Sequence, residues 1–366
     1  MAADDSGTVG GLGEFGLIAA LSAWLPADPR ALVGIGDDAA VLAAPDGRVV
    51  ATTDFLLEGR HFRRDWSSAG DVGAKAAARS LADVAAMGAE PTGLLVALAA
   101  PPDLPVSWAL ELAAGLAAEC ARAGASVIGG DTARASCVLL AVTGLGDLSG
   151  RAPVLRSGAR PGDVVAVAGA LGHAAAGLAL LSAGLAGGPA SAGLAGGPAG
   201  LAFEGPLVAA GPLVAAHRRP APPYDAGPEA AGLGATAMID VSDGLLADLG
   251  HIADASGVLI DVSSDRVRPG EELVAGAQAV AGTRRNPDPP PLPPSFSRTD
   301  HGAAAGQAEA LRWVLTGGED HSLVAAFPPG TALPARWAVI GEVRPGRGVL
   351  VDGEEWAGPG GWDHFG

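Results

Sequence analysis

The chain has few of the residues that would place it among disulfide-rich, zinc-binding or membrane-spanning proteins. It contains 2 cysteines in 366 residues, with neither a CxxC motif nor cysteine and histidine at metal-ligand spacing. No disulfide framework or zinc site is therefore expected. No apolar run reaches the ~18 residues needed to cross a bilayer, and Asp4 and Asp5 stand where a signal peptide would carry positive charge. The sequence predicts a soluble cytoplasmic protein.

Basic side chains are also scarce. There are 23 of them against 40 acidic ones, which gives a formal net charge of -17. Such an acidic surface disfavours nucleic acid and anionic membranes as partners. An anionic small substrate can still bind where metal ions reverse the local charge. Lys75 is the only lysine, which we interpret as compositional bias.

The composition, with 49% hydrophobic and 17% charged residues, is that of a globular protein. Short apolar runs alternate with helix-like segments, so we predict an α/β (α+β) fold with two domains. Residues 1–12 are expected to be a disordered tail, 13–148 the first domain and 149–366 the second. A tandem SAGLAGGPA nonapeptide and a proline-rich stretch indicate flexible insertions near 182–216 and 281–308.

The second half is predicted to contain a strand at Asp163–Ala168, a helical segment near Leu171–Leu181, a strand at Ala237–Asp240 and a helix at Leu245–Ala255. Four further strands are predicted to close the chain. They are Leu311–Leu315, Ser322–Phe327, Trp337–Val343 and Gly348–Val351.

Two stretches of the first domain carry the clearest chemical signal. Thr52-Thr53-Asp54 ends a strand-like run with two hydroxyls and a carboxylate, a mixture of oxygen ligands that suits Mg²⁺. The same residues also suit an ordinary strand end followed by a cap. Asp83 lies on an apolar helix, where a carboxylate needs either a coordinated cation or a partner such as Arg79, one turn earlier.

Three further acidic stretches can also bind a metal ion or a phosphate. Gly36-Asp37-Asp38 can place one carboxylate on a metal, or can be a solvated turn. Gly129-Gly130-Asp131-Thr132 can bring backbone N–H groups close to a phosphate. Asp240-Val241-Ser242-Asp243 lies between a strand and a helix, where it can seat a phosphate or simply supply the helix cap. Neither GxxxxGK[ST] nor a complete GxGxxG is present, so a P-loop kinase and a dinucleotide-binding domain are not expected.

In their order along the chain, nine stretches resemble one family. They are GEFGLI, GIGDDAAVL, TTDFLLEGRHF, LADVAAMGAEP, IGGDT, RSGARPGD, IDVSDGLLADLGHIA, LTGGED and GWDHF. The chain resembles the thiamine-monophosphate kinases, within the superfamily of aminoimidazole ribonucleotide synthetase. The resemblance implies an N-terminal α/β domain and a C-terminal α/β domain. It also implies a homodimer, in which the sheet of the N-terminal domain pairs with the same sheet of the second protomer.

The resemblance also implies the ligands and their sites. ATP is the expected co-substrate, thiamine monophosphate the acceptor and several Mg²⁺ ions the cofactor. No catalytic side chain is assigned, because catalysis is expected to depend on the metals, with Asp54 and Asp83 as the main groups that position them. The expected magnesium ligands are Asp38, Thr52, Thr53, Asp54, Asp83, Asp131, Asp240 and Asp243. The expected contacts to ATP are Gly130, Asp131, Arg156 and Ser242, and those to thiamine monophosphate are His61, Glu319 and Trp362.

Three local departures from the family pattern are Ala82, Arg60 and His321, and none removes an expected ligand. Two alternatives stay open at this point. Another ATP-dependent synthetase of the same superfamily, of the aminoimidazole ribonucleotide or selenophosphate type, would share the IGGDT and LADVAAMGA stretches. A non-catalytic protein that binds nucleotides or divalent ions would need the aspartates but no acceptor pocket.

Overall fold

The computed structural model describes residues 7–35, 39–186, 210–283, 303–358 and 360–361. Among these, the residues up to 152 form a first compact unit, except 86–88, which group with the residues from 153 onward in a second unit. The boundary predicted from the sequence lies between residues 148 and 149, four residues before the division between the two units. In the described ranges, no helix combines the length and the apolar character needed to span a membrane.

The first unit contains a four-stranded sheet in the order β3-β6-β4-β5. Strand β6 is antiparallel to both β3 and β4, whereas β4 and β5 are parallel and are joined by helix α3. Helix α2 joins β3 to β4, and β6 lies between these two strands. Strands β3 and β4 are parallel to each other, since each is antiparallel to β6, and β3, α2, β4, α3 and β5 follow one another along the chain as a βαβαβ run. The elements are α1 Val9–Ser22, β1 Ala31–Val33, β2 Val41–Leu42, β3 Val50–Leu57, α2 Ala69–Ala86, β4 Glu90–Ala100, α3 Val106–Ala123, β5 Ser126–Arg134 and β6 Leu139–Asp147.

The second unit is built on a seven-stranded sheet in the order β13-β12-β9-β11-β7-β10-β8. All neighbours are antiparallel except β12 and β9. Strands β8 and β10 are buried along their whole length, as expected where both faces of a sheet are covered. The elements are β7 Val164–Ala168, α4 His173–Ser182, α5 Ala210–Arg218, α6 Ala226–Gly232, β8 Ala237–Val241, α7 Leu245–Ser256, β9 Leu259–Val262, α8 Glu271–Thr283, α9 Ala303–Thr316, β10 Ser322–Phe327, β11 Trp337–Arg344, β12 Gly348–Val351 and β13 Glu354–Glu355.

The α/β class is confirmed, but several local predictions are wrong. Residues 9–12 are not a disordered tail, because α1 begins at Val9 and the side chain of Thr8 accepts a hydrogen bond from the Gly11 N–H at its start. The predicted strand Leu311–Leu315 belongs to helix α9, in which its apolar side chains meet the core at helical spacing.

The predicted flexible insertions are too wide at their edges. The second GPLVAA copy forms part of α5, and residues 281–283 and 303–308 belong to α8 and α9. The nonapeptide repeat beyond residue 186 and the proline-rich stretch lie outside the described residues.

Helices α2 and α3 approach each other closely through two glycines. A Cβ on Gly73 would lie 2.1 Å from the Leu112 carbonyl oxygen, and one on Gly115 would lie 2.1 Å from the Gly70 carbonyl oxygen. Both distances are far below van der Waals contact. The depth at which α2 packs therefore depends on two positions without side chains.

We expect Gly115→Ala to lower the free energy of unfolding by about 1–3 kcal/mol, since the added methyl group forces the two helix backbones apart. Gly250→Ala is the matched control, because Gly250 lies inside α7 with no atom within 4 Å of its added Cβ. There the change should be neutral or stabilising by up to about 1 kcal/mol. Thermal unfolding measures both, and equal effects of the two variants would contradict the close packing.

Candidate active site

The Thr52-Thr53-Asp54 motif lies in the middle of β3, not at a strand end as predicted, because β3 runs on to Leu57. Successive side chains of a strand point to opposite faces, so the motif is divided between them. Thr52 and Asp54 share the face that is covered by α2. The side chain of Thr53 lies on the other face, where its hydroxyl is 3.2 Å from the Thr143 hydroxyl and donates to the Val142 carbonyl oxygen.

Two carboxylates meet at the contact between β3 and α2. The Thr52 hydroxyl donates to Asp83 Oδ2 at 2.7 Å, and the Ser80 hydroxyl donates to Asp54 Oδ2 at 3.0 Å. The Arg79 guanidinium lies 3.9 Å from Asp54 Oδ1. Each strand residue thus pairs with a helix residue, and the hydroxyl fixes the orientation of the carboxylate opposite to it.

The local sequence explains why α2 presents these groups. The helix begins with a capping box, in which the Ser68 N–H donates to Asp71 Oδ2 at 3.0 Å and the Asp71 N–H donates to Ser68 Oγ at 3.1 Å. Its remaining surface is mostly buried, and Leu81 and Val84 are fully covered. Asp83 is only partly buried, at the edge of this apolar surface. The Thr52 hydroxyl orients the carboxylate at this edge.

The Gly129-Gly130-Asp131 motif also lies inside a strand, because β5 continues to Arg134. A Cβ on Gly130 would lie 2.0 Å from the Val96 carbonyl oxygen, so the packing of β4 against β5 by itself requires glycine. Asp131 is exposed, and its Oδ1 accepts the Thr132 N–H at 2.8 Å. The three motif residues line a cavity of about 880 Å³ in the first unit.

In the second unit, Asp240 is the penultimate residue of β8 and is buried. Its Oδ2 lies 3.0 Å from His321 Nδ1, and both side chains are almost completely covered. The backbone of the Gly317–His321 turn is held by the strand end, since the Glu319 N–H donates to the Ser242 carbonyl and the His321 N–H to the Val241 carbonyl. Glu319 and His321 both have positive φ, at 68° and 53°. This backbone is strained for residues with a side chain and is common at binding sites.

At the predicted phosphate seat before α7, three backbone N–H groups already have an acceptor. Asp248 Oδ2 accepts the N–H groups of Ser242, Asp243 and Gly244 at 3.0, 3.1 and 3.1 Å. Burial raises the pKa of Asp248 to about 7, and the negative charge of Asp240 adds to the effect. The N-cap of α7 is Gly244, so neither Ser242 nor Asp243 caps the helix. Asp248 instead holds the three residues that precede the helix.

Asp320 has an equivalent role at the start of α4. Its carboxylate accepts the Gly172 N–H at 2.5 Å and the Ala174 N–H at 2.8 Å. Burial raises its pKa to about 7, against the opposing effect of these two hydrogen bonds. The neighbouring Glu319 is less buried and lies 3.6 Å from His217 Nδ1. Asp320 therefore anchors the turn that presents Glu319.

The remaining predicted residues are spread over both units. His61 follows β3, and its Nδ1 accepts the Leu57 N–H at 3.0 Å, so a neutral His61 carries its proton on Nε2. Arg156 is exposed, and its carbonyl oxygen accepts the Ser256 hydroxyl. Asp38 and Trp362 lie outside the described residues.

The described residues contain no group of three or more His, Cys, Asp and Glu side chains arranged for a metal. Side-chain contacts join the donors in pairs. In the first unit the pairs are Asp83 with the Thr52 hydroxyl and Asp54 with the Ser80 hydroxyl, and in the second unit the pair is Asp240 with His321. Two carboxylates with hydroxyls are hard oxygen donors, and they fit an ion such as Mg²⁺ that takes its other ligands from water and phosphate.

Sequence reasoning missed Ser80, Asp248 and the contact of His321 with Asp240. Ser80 precedes Asp83 by three residues and so shares its helix face, a spacing that could have indicated it. Asp248 lies four residues into α7, where an acidic side chain near a helix start is a recognisable signal. The His321 contact depends on the pairing of β8 with β10, which no short-range pattern shows.

Comparison with known proteins identifies the family. Residues 36–148 match the model of the AIR synthase related protein N-terminal domain. The thiamine-monophosphate kinase of Mycobacterium tuberculosis strain H37Rv is 43% identical over 365 residues, which cover 100% of this chain and 95% of that protein. The chain belongs to the thiamine-monophosphate kinase family. It is an enzyme, a phosphotransferase, and the resemblance seen in the sequence is confirmed.

Two further similarities support the assignment. The thiamine-monophosphate kinase of Corynebacterium glutamicum is 38% identical over 367 residues, with 99% of this chain and 96% of that protein covered. A solved structure of AaThiL complexed with AMPPCP and TMP has a TM-score of 0.69 and 30% identity, and it covers 97% of this chain and 98% of that chain. The aminoimidazole ribonucleotide synthetase-like fold expected from the sequence is therefore confirmed.

The pKa of Asp320 leads to a prediction about stability. A folded-state pKa of about 7 is above the unfolded value of 3.8, so the folded state retains a proton that the unfolded state loses between pH 4 and 7. Stability from this group is therefore present below pH 4 and falls as the pH rises to about 7, by at most about 4 kcal/mol.

The measurement is denaturant unfolding of the wild type and of Asp320→Asn at pH 5, 6, 7 and 8. The amide does not titrate, so the difference in unfolding free energy between the two proteins should change between pH 5 and 7 and level off above it. The same substitution at surface-exposed Asp254 serves as the control. A pH-independent difference for Asp320→Asn would contradict the raised pKa.

Proposed function

We propose that the protein uses ATP and Mg²⁺ to phosphorylate thiamine monophosphate to thiamine diphosphate. The observation that carries the proposal is the pair of carboxylates, Asp54 and Asp83, each oriented by a hydroxyl from the opposite element. Family membership supplies the reaction class. The AaThiL complex with AMPPCP, an ATP analogue, and TMP supports both ligands.

Asp54, Asp83 and the hydroxyl of Thr52 are the residues that we expect to hold magnesium in the first unit. Asp131 on β5, and Asp38, extend this set. Thr53 remains a candidate through its backbone, since its side chain lies on the other face of β3. In the second unit, Asp240 and Asp243 are the proposed ligands. When bound, Mg²⁺ neutralises negative charge that develops on the transferring phosphoryl group.

The nucleotide is proposed to contact Gly130 and Asp131 in the first unit, and Arg156 and Ser242 in the second. The Ser242 N–H already donates to Asp248, which leaves the hydroxyl as the group for this contact. Arg156 is exposed and can present its planar guanidinium to two phosphate oxygens. The acidic chain needs such cationic contacts to hold a polyanion.

Thiamine monophosphate is proposed to contact His61, Glu319 and Trp362. The proton on His61 Nε2 suits a phosphate oxygen or a hydroxyl acceptor. A carboxylate and an aromatic ring suit the positively charged thiazolium. Asp320 contributes indirectly, because it anchors the turn that carries Glu319.

Transfer is proposed to be direct and in line, from the γ-phosphoryl group of ATP to an oxygen of the acceptor phosphate. That acceptor is already ionised at neutral pH, so no strong general base is required. No side chain of the protein is proposed as a covalent nucleophile. The principal task of the chain is to orient two anionic groups that repel each other.

A homodimer formed through the sheet of the first unit is also proposed. The face of β3 away from α2 carries Ala51, Thr53 and Phe55, and Phe55 is 60% exposed. An exposed aromatic side chain on the edge strand of a sheet is typical of a surface that is covered in an assembly.

Phe55→Asp should convert the dimer to a monomer, since it places a charge at the centre of the proposed contact. Sedimentation velocity gives the mass directly. Leu155→Asp, an exposed apolar position of the second unit, is the control and should keep the wild-type mass. A wild-type protein that sediments as a monomer contradicts this part of the proposal.

Asp83→Asn tests the catalytic proposal. The protein is incubated with thiamine monophosphate, ATP and Mg²⁺, and thiamine diphosphate is measured by chromatography. We expect kcat to fall at least about a hundredfold, equivalent to about 2.7 kcal/mol of activation free energy, because one metal-positioning charge is lost.

Asp103→Asn makes the same substitution at an exposed carboxylate and should leave kcat unchanged. Removal of Mg²⁺ by a chelator should abolish the wild-type reaction. Full activity of Asp83→Asn, or formation of thiamine diphosphate without a divalent ion, would be incompatible with the proposed mechanism.

A further inference from the structure

Lys75 is the only lysine among 23 basic side chains, and it is buried. It lies in α2 with a relative exposure of 2%, among the largest fully covered side chains of the described residues. A buried ammonium group is costly unless polar groups surround it. Compositional bias explains why arginine replaces lysine elsewhere, but it does not explain why this single position keeps lysine.

The ammonium group of Lys75 contacts the turn that presents His61. Its Nζ donates to the His61 carbonyl oxygen at 3.2 Å. The ring of the same residue is held from the other side, because His61 Nδ1 accepts the Leu57 N–H at 3.0 Å. One hydrogen bond thus fixes the backbone of His61, and a second fixes the direction of its imidazole.

Two backbone hydrogen bonds also shape this turn. The His61 N–H donates to the Leu57 carbonyl oxygen at 2.9 Å, and Gly59, with φ of 83°, donates its N–H to the Phe62 carbonyl oxygen at 2.8 Å. Both bonds lie within the turn. The Lys75 contact joins the His61 backbone to α2, the helix that also carries Ser80 and Asp83.

Lysine suits this position better than arginine on geometric grounds. Its compact ammonium group can approach one carbonyl oxygen from a narrow buried space, whereas a planar guanidinium needs room for several donors. Lys75 also lies four and eight residues before Arg79 and Asp83, on the same face of α2. The face of α2 that carries Arg79 and Asp83 therefore also supports the His61 turn.

We propose that Lys75 is a positioning residue, which holds His61 in place for thiamine monophosphate through the hydrogen bond from its ammonium group to the His61 carbonyl oxygen. The proposal rests on the proposed function, in which His61 contacts that substrate. Lys75 itself touches neither substrate nor the reacting atoms.

The kinetic test uses Lys75→Met, which keeps the length and apolar stem of the side chain and removes the ammonium group. We expect the KM for thiamine monophosphate to rise about tenfold, with the KM for ATP changed less than twofold. Lys75→Arg keeps the charge and should give a smaller rise in the same direction. An unchanged KM for thiamine monophosphate in both variants would overturn the proposal.

A double variant separates positioning from general support of the fold. If Lys75 acts through His61, then Lys75→Met combined with His61→Ala should be no worse for thiamine monophosphate than His61→Ala alone. Multiplication of the two single effects would instead show that Lys75 acts independently, which contradicts the proposal. Leu104→Ala is the control for lost stability, since it empties a buried position of the first unit without touching the turn.

Hydrogen–deuterium exchange tests the effect of Lys75 on the His61 turn without an activity measurement. Hydrogen–deuterium exchange of Lys75→Met, and of Lys75→Arg should Lys75→Met not fold, should show faster uptake in the peptide that spans residues 57–62. Uptake in a peptide from β5 should stay at the wild-type rate. Equal uptake at residues 57–62 in variant and wild type would overturn the proposal.

Different results would refute the proposed function and the role of Lys75. A wild-type protein that does not phosphorylate thiamine monophosphate refutes the proposed function. A wild-type protein that is active, with Lys75 variants that keep the normal KM and the normal exchange at residues 57–62, refutes the role of Lys75 alone.

Discussion

The first unit depends on hydrogen bonds that cross the contact between β3 and α2. Two partly buried carboxylates there, Asp54 and Asp83, lie beside an apolar surface, where they would be destabilising without partners. Thr52 and Ser80 supply those partners, one from each element, and in doing so they fix the direction of the carboxylate oxygens. In the proposed function, oxygen atoms oriented in this way would lower the cost of ordering the magnesium site.

Two buried acidic side chains of the second unit bind backbone N–H groups, in contrast to Asp54 and Asp83, which bind hydroxyls. Asp248 and Asp320 are directed at backbone N–H groups at the starts of α7 and α4, and burial raises the pKa of both to about 7. These carboxylates hold turns in place and are not available to a ligand. The strand end therefore presents Ser242 and Asp243, and the Asp320 turn presents Glu319, as groups on a rigid support.

Much of this could be predicted from the sequence, and the errors have physical causes. Strands β10 and β12 were predicted with their observed ends, because apolar runs between turn residues are a strong local signal. Thr52 to Asp54 and Gly129 to Asp131 were placed at strand ends, since polar residues and glycines usually end strands. Here both stretches continue as strands. Gly130 allows the Val96 carbonyl oxygen to approach, and α2 offers the Ser80 hydroxyl and the Asp83 carboxylate to the side chains of β3. The pairs that define the site, such as Thr52 with Asp83, join residues far apart in the chain, and spacing alone cannot show them.

The most direct measurement of the central claim is a crystal structure with Mn²⁺ in place of Mg²⁺, together with AMPPCP. Anomalous scattering locates the manganese ions without reference to the protein coordinates. The account predicts an anomalous peak at coordination distance, about 2.1 Å, from carboxylate oxygens of Asp54 or Asp83. A nucleotide bound with its manganese far from both carboxylates would contradict it.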